Sequence, residues 1–251
     1  PYAADVLSRI YDDANTLISG AAVVPERMIM QLLAPADGHP KISIQANGAT
    51  YAYNYDPDNT YSTNNFSELS GSTDKWSDTT NSDPLGDVSK GLDAVEANTG
   101  ERPTIMIISR KTMDYLKQNA KIKNAILSQN TSATVFMNDK RVKEVFSNEL
   151  GVNIVVYTKQ YKNEAGTAAK FYPDGFATLI PDGQLGNTWY GTTPEERTLM
   201  GSGTADVSIV NTGVAVAVTV TNDPVHTKTT VSEIVLPSYE RMDSTYVIKC
   251  Y

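Results

Sequence analysis

Cysteine is almost absent from this chain: Cys250 is the only one in 251 residues. No internal disulfide can form, which suits synthesis in a reducing cytoplasm. Histidine is nearly as scarce. His39 and His226 lie far apart, no cysteine pairs with either, and no HExxH or paired-Cys zinc pattern occurs. Both are read as solvated loop residues, and neither a metal nor a cofactor is expected. Apolar runs are short, none approaching the roughly 20 residues that cross a bilayer, and no signal-peptide pattern opens the chain. Positive charge is also in deficit, 21 Lys and Arg against 29 Asp and Glu, for a formal charge of -8. The basic stripe of a nucleic-acid binder is not visible in the sequence. What remains is a chain long enough to bury a sizeable core without staples.

Catalytic patterns fail one by one. Gly86-Asp-Val-Ser-Lys-Gly91 begins like a phosphate loop, but Leu92 stands where the lysine is needed, so helix glycines against a close neighbour are the plainer reading. Ser72-Thr-Asp-Lys75 has Ser-x-x-Lys spacing but lies in polar sequence without its companion motifs. Asp56 and Asp58 lack the glycine and closing glutamate of a calcium loop and read as an Asp-Pro turn. Glu195 and Glu196 are adjacent, so they diverge rather than converge on a substrate. No catalytic residue is assigned and no enzyme is expected. Trp76 and Trp189 read as core or subunit-contact anchors, since large aromatics dominate interface energetics.

The patterning that is present has an order. Leu7, Ile10, Ala14, Leu17, Ala21, Val24 and Met28 form an apolar seam at steps of three and four, predicting a long helix from Pro1 to Ala34. Pro1 falls inside that pattern, which leads to the expectation that further chain preceded it. Pro25 either kinks this helix near Gly20–Pro25 or opens a second helix. Ile42 to Tyr53 is a hairpin around Asn47-Gly48, with Ile44 opposite Tyr51 and Ile42 opposite Tyr53. Residues 54–83 are rich in Asp, Asn, Ser and Thr and read as a long surface loop.

Asp83-Pro84 starts a helix that Gly100 stops. Residues 103–109 read as a buried strand, with Ser109 capping the next helix. Asn138 or Asp139 caps a further helix closed by Gly151, and 153–157 is another strand. Residues 158–170 read as a hairpin, 176–180 as a strand and 184–203 as irregular. Alternating Val214, Val216, Val218 and Val220 give a strand with one large and one small face. Further strands are expected at 229–236 and 246–251.

In that order of parts the chain resembles the major capsid proteins of tailed phages, with the Hong Kong 97 fold, and particularly the lambda-type major head proteins. Asp5 to Leu33, with Ile10-Tyr-Asp-Asp13 and Val24-Pro-Glu-Arg27, is similar to that family's spine helix. Ile42 to Tyr55 is similar to the hairpin after it, Gly100 to Ser109 to a central strand, and Leu236-Pro-Ser-Tyr239 to the closing segment. The resemblance implies an α+β fold with a peripheral lobe (1–82, completed by closing strands 205–251) and an axial lobe (83–204). It also implies an N-terminal arm and an extended loop ahead of the spine helix, not visible here, and so a truncated or processed subunit.

The function implied is a shell subunit that self-assembles into pentamers and hexamers around DNA. The implied partners are its own copies, with scaffolding, portal and decoration proteins, and packaged DNA only by non-specific proximity. The implied place is the virion capsid, after synthesis in the host cytoplasm. Two other readings stay open on the residues alone. A tail-tube or decoration protein is expected to be shorter and mainly β, without the spine helix. A hydrolase would need a site assembled from dispersed acids.

Overall fold

The computed structural model describes residues 14–46, 49–127, 137–163, 165–200, 206–210, 213–222 and 225–251. The first half of the expected long helix therefore lies largely outside the described residues. A helical stretch at 14–21 is followed by a turn at Ala22 and then by α1 (Val23–Leu33). The break sits inside the expected 20–25 interval. Pro25 falls in the first turn of α1, where its missing N–H would have had no helical acceptor.

The hairpin pairs β1 (Lys41–Ala46) with β2 (Ala49–Asn54) in the expected register, Ile44 opposite Tyr51 and Ile42 opposite Tyr53; Asn47-Gly48 lies outside the described residues. The free edge of β1 is held by a side chain. Gln31 of α1 accepts from the Ser43 amide (3.0 Å) and donates to the Ser43 carbonyl (3.2 Å), as a neighbouring strand would.

Helix α2 (Thr60–Asn64) and the short strand β3 (Phe66–Glu68) follow. Local cap chemistry then sets the next helices. In α3 (Pro84–Thr99) the Asp83 carboxylate accepts from the Gly86 amide and Gly100 ends the helix at positive φ, a conformation that costs glycine little. Strand β4 (Ile105–Ser109) runs directly into α4 (Arg110–Gln118), capped by the Ser109 hydroxyl. Helix α5 (Ala120–Leu127) comes next, and then α6 (Asp139–Leu150), capped by Asn138 and closed by Gly151.

Strands β5 (Asn153–Tyr157), β6 (Gln160–Lys162), β7 (Ala168–Lys170) and β8 (Phe176–Ile180) complete the middle of the chain. β6 and β7 form the expected small hairpin. The last third holds β9 (Thr188–Gly191), α7 (Pro194–Leu199), β10 (Asp206–Val210), β11 (Val214–Asn222), β12 (Val225–Pro237) and β13 (Tyr246–Lys249). The architecture is α+β.

Two compact units emerge. One comprises Gly186–Ser238 with the described residues up to Ile29; the other comprises Met30–Leu185 with Tyr239–Tyr251. The second is built on a five-stranded sheet in the order β3-β13-β8-β4-β5. Its strands come from all three of the segments marked off in the sequence as lobes. On one face Met106, Ile108, Ile154, Ala177, Leu179 and Ile248 join Val88 and Leu92 of α3, Met113 and Leu116 of α4, and Val142 and Phe146 of α6 in one core. On the other face the Thr178 hydroxyl donates to the Leu33 carbonyl at the end of α1.

Gly91 lets α3 lie against this sheet. A Cβ there would stand 2.8 Å from the Tyr246 ring and 3.0 Å from Leu179. Gly91→Ala is therefore expected to destabilise the protein by about 1–3 kcal/mol through overpacking, offset by at most ~1 kcal/mol of helix propensity. Urea unfolding followed by circular dichroism checks this; an unchanged or higher midpoint would contradict the close packing.

The reading of 54–83 as a surface loop is corrected. Asp56, Tyr61, Asn65, Trp76 and Ser82 are all buried. The segment is polar because its side chains satisfy backbone groups inside the fold. Asn65 Nδ2 donates to the carbonyls of Asp243 (2.8 Å) and Thr245 (2.7 Å). The Thr245 hydroxyl donates to the Met242 carbonyl, leaving its lone pairs for the phenols of Tyr61 (3.0 Å) and Tyr239 (2.8 Å). Burial pushes the Tyr61 phenol far up and that of Tyr239 to about 12, so both remain neutral donors.

The reading of 184–203 as irregular is corrected too. It holds β9 and α7, the latter with Pro194 at its start and a Thr193 cap accepting from the Glu196 amide.

In the first unit the sheet order is β10-β11-β12-β9. The start of β11 is buried on both faces, Val214 and Val216 on one and Ala215 and Ala217 on the other. Ser232, opposite Ala215, donates to Glu195 of α7 (2.6 Å). The helix thus lies on the alanine face, where small side chains let it approach.

Candidate interaction surfaces

Among the described residues no group of three or more His, Cys, Asp or Glu is placed to hold a metal, and no helix is long and apolar enough to cross a membrane. The residues singled out in the sequence are dispersed. Gly91 is a packing glycine, while Gly86 sits beside the Asp83 carboxylate. Ser72 and Lys75 lie in the turns around Gly71. Glu195 and Glu196 occupy the first turn of α7, where acids are favoured by the helix dipole. Asp58 is exposed, and His226 is exposed on β12.

His39 lies in a loop bend, as expected, but its side chain is only partly exposed and has a partner. Its Nδ1 lies 3.0 Å from Oδ2 of buried Asp56. Asp56 also accepts from the amides of Tyr61 (2.9 Å) and Ser62 (3.0 Å) at the start of α2. Burial raises the Asp56 carboxyl, but these donors outweigh it and hold the group below its ordinary value. The carboxylate organises a helix start, and the sequence reading of an Asp-Pro turn missed its burial and its histidine partner.

The two tryptophans part company. Trp76 is fully buried in the core of the second unit, its Nε1 donating to Asp87 (3.1 Å). Trp189 is 64% exposed on β9. It stands opposite Leu236 of β12, and Ile234 stands opposite Gly191 two residues along the same face. Leu236 and Ile234 are exposed as well. A second exposed set is Tyr51 and Tyr53 on β2, an unbroken exposed strand.

Charge is more segregated than the total suggests. Residues 54–101 carry ten Asp and Glu against two Lys. Residues 110–150 carry eight Lys and Arg against four Asp and Glu. The helices α4, α5 and α6 pack on one another, and several of these cations are paired with acids: Arg110 and Lys117 with Asp139, Lys121 with Asp83 and Lys140 with Glu144.

Comparison with known proteins identifies the class. The sequence profile of the family described as phage major capsid protein E matches residues 3–245. The chain belongs to that family.

Two solved structures show the same fold as this member of the phage major capsid protein E family. A putative capsid protein of a prophage of Escherichia coli CFT073 superposes with a TM-score of 0.61 at 17% identity, covering 92% of this chain and 63% of that one. A phage-related protein of Bordetella bronchiseptica RB50 gives a TM-score of 0.55 at 17% identity, over 94% of this chain and 65% of that one. The chain thus spans slightly under two thirds of the length of each. No curated protein matches.

Proposed function

We propose that this chain is a structural subunit of a phage or prophage head, one that assembles with copies of itself into pentamers and hexamers enclosing DNA. The match to the phage major capsid protein E family across 3–245 carries this reading. Scaffolding, portal and decoration proteins are its further partners, DNA is held only by proximity, and the subunit passes from the host cytoplasm to the virion capsid. Its role is structural and not enzymatic.

The physical demand on such a subunit is many weak contacts. One contact of about 4 kcal/mol gives only roughly millimolar affinity, but each later contact is effectively intramolecular. Misplaced copies leave, while the closed shell persists.

A peripheral lobe (1–82 with 205–251) and an axial lobe (83–204) belong to the same proposal. Limited proteolysis tests it: cuts gathered near 82 and 204 support those lobes, and cuts near 185 and 238 favour the two compact units instead. For the function itself, electron microscopy of the full-length product is expected to show closed shells or rings of five and six. A full-length product that stays monomeric when concentrated overturns the reading.

A further inference from the structure

We propose that the bare edge of β2 in one copy adds as a further strand to the bare edge of β5 in the next. The contact rests on the shell reading above and names the surfaces that meet. Both strands belong to one compact unit, so every copy presents both.

The β1–β2 hairpin has one edge closed and one open. Gln31 closes the outer edge of β1 at Ser43, while no described strand other than β1 pairs with β2. The Tyr55 amide donates to the Pro40 carbonyl, so by alternation Tyr51 and Tyr53 turn their backbone groups to β1. Thr50, Ala52 and Asn54 therefore point N–H and C=O outward. All six residues of β2 are exposed, and none is charged.

β5 is the last strand of the five-stranded sheet. The Asn153 amide donates to the Thr104 carbonyl. In a parallel ladder this turns Asn153, Val155 and Tyr157 to β4 and leaves Ile154 and Val156 facing outward. Among the described residues no hydrogen bond reaches the outward backbone groups of Ile154, Val156, Thr50 or Ala52. An open groove of about 480 Å³, lined by side chains of α6 and by Asn153, runs beside the start of β5.

Sheet edges are ordinarily blunted by charge, proline or a covering side chain. Among the described edge strands of five or more residues, β2 and β5 are the two without a charged side chain. Set antiparallel, with Ala52 opposite Ile154 and Thr50 opposite Val156, both pairs exchange hydrogen bonds in both directions. The same register puts exposed Tyr51 against exposed Val155, an aromatic and β-branched pair of the kind that stabilises sheets. Thr50 and Ala52, both small, then fall on the face where Ile154 joins the core. A second copy is the occupant because two unlike edges on one unit join head to tail, and such contacts close rings. Pairing of β2 with another β2 stops at a dimer, short of the rings of five and six in the shell reading.

Sedimentation velocity on four samples of the chain tests this: the wild type, Ala52→Pro, Val155→Lys, and an equal mixture of the two variants. Proline at 52 removes an outward N–H and no bond to β1, and lysine at 155 charges the bare edge of β5. Circular dichroism verifies both folds, and Tyr51→Lys replaces Ala52→Pro if the proline disturbs the hairpin. The wild type is expected to self-associate, with affinity changing less than about threefold between about 50 mM and about 500 mM NaCl, since the contact carries no charge. Each variant alone is expected to associate at least roughly tenfold more weakly. The mixture is expected to form one-to-one pairs, β2 of Val155→Lys on β5 of Ala52→Pro. Hydrogen exchange at the amides of Ala52, Ile154 and Val156 is expected to slow as the wild type associates.

Association that persists in either variant overturns this contact; if Val155→Lys alone keeps it, β2 pairs with β2 instead. A mixture that forms no pairs overturns it too, as does a wild type that stays monomeric at both salts. The shell reading stands or falls separately, on the micrographs of the full-length product.

Discussion

Trp76→Ala is expected to cost about 3–5 kcal/mol, the largest effect of any single truncation considered, because it empties a fully enclosed site. The ring has no exposed surface and packs in the same core as Val88, Leu92, Met113 and Ile248. Its backbone amide donates to the Cys250 carbonyl (2.9 Å), tying the polar segment to the residue after β13. Its indole N–H donates to Asp87, whose carboxyl is raised by burial and lowered by that donor. Removing the ring therefore leaves both a cavity and a half-buried carboxylate short of a partner.

Trp76→Phe keeps most of the volume and is expected to cost less, about 1–3 kcal/mol, mainly through the lost hydrogen bond. Trp189→Ala, on an exposed ring, is expected to stay within about 0.5 kcal/mol. Urea unfolding read by far-ultraviolet circular dichroism separates the three. A Trp76→Ala midpoint equal to that of Trp189→Ala would rule out a core role for Trp76.

The second large effect is expected at Asp56. Asp56→Ala removes the acceptor for the Tyr61 and Ser62 amides and the partner of His39. A lost helix cap costs about 1 kcal/mol, and a buried donor left unsatisfied about 1–3 kcal/mol, so a loss of roughly 2–4 kcal/mol is expected. The carboxyl is held below its ordinary value of 3.8. Its stabilisation is therefore fully present above that value and is lost as the pH falls below it, through the lowered folded value. Asp56→Asn carries no titrating proton, so its stability should fall less between neutral pH and about pH 3 than that of the wild type. Parallel acid-induced loss in both proteins would remove Asp56 as a source of the pH dependence.

What the sequence made legible was local. Asp83-Pro84, Ser109 and Asn138 start helices, and Gly100 and Gly151 end them, because each acts through a cap or a positive φ within a few residues. The β1–β2 register followed from the spacing around Asn47-Gly48. The alternation of Val and Ala in β11 foretold a large and a small face, and α7 lies on the small one.

What stayed hidden was long-range. Nothing near Asp56, Asn65 or Trp76 in sequence announces partners at positions 39, 245 or 250, so a polar but buried segment looked like a surface loop. α5 has a short, weak pattern of its own and passed unnoticed. The family was legible in the order of parts.

The place of β13 carries one more consequence. It lies between β3 and β8, so strands 66–68 and 176–180 cannot join until residues 246–249 arrive. During synthesis, at about 5–20 residues per second, the core of this unit stays unclosed for several seconds after its helices have been made. A nascent chain is thereby left with β3 and β8 unjoined, and the sheet of this unit incomplete, until its last residues emerge.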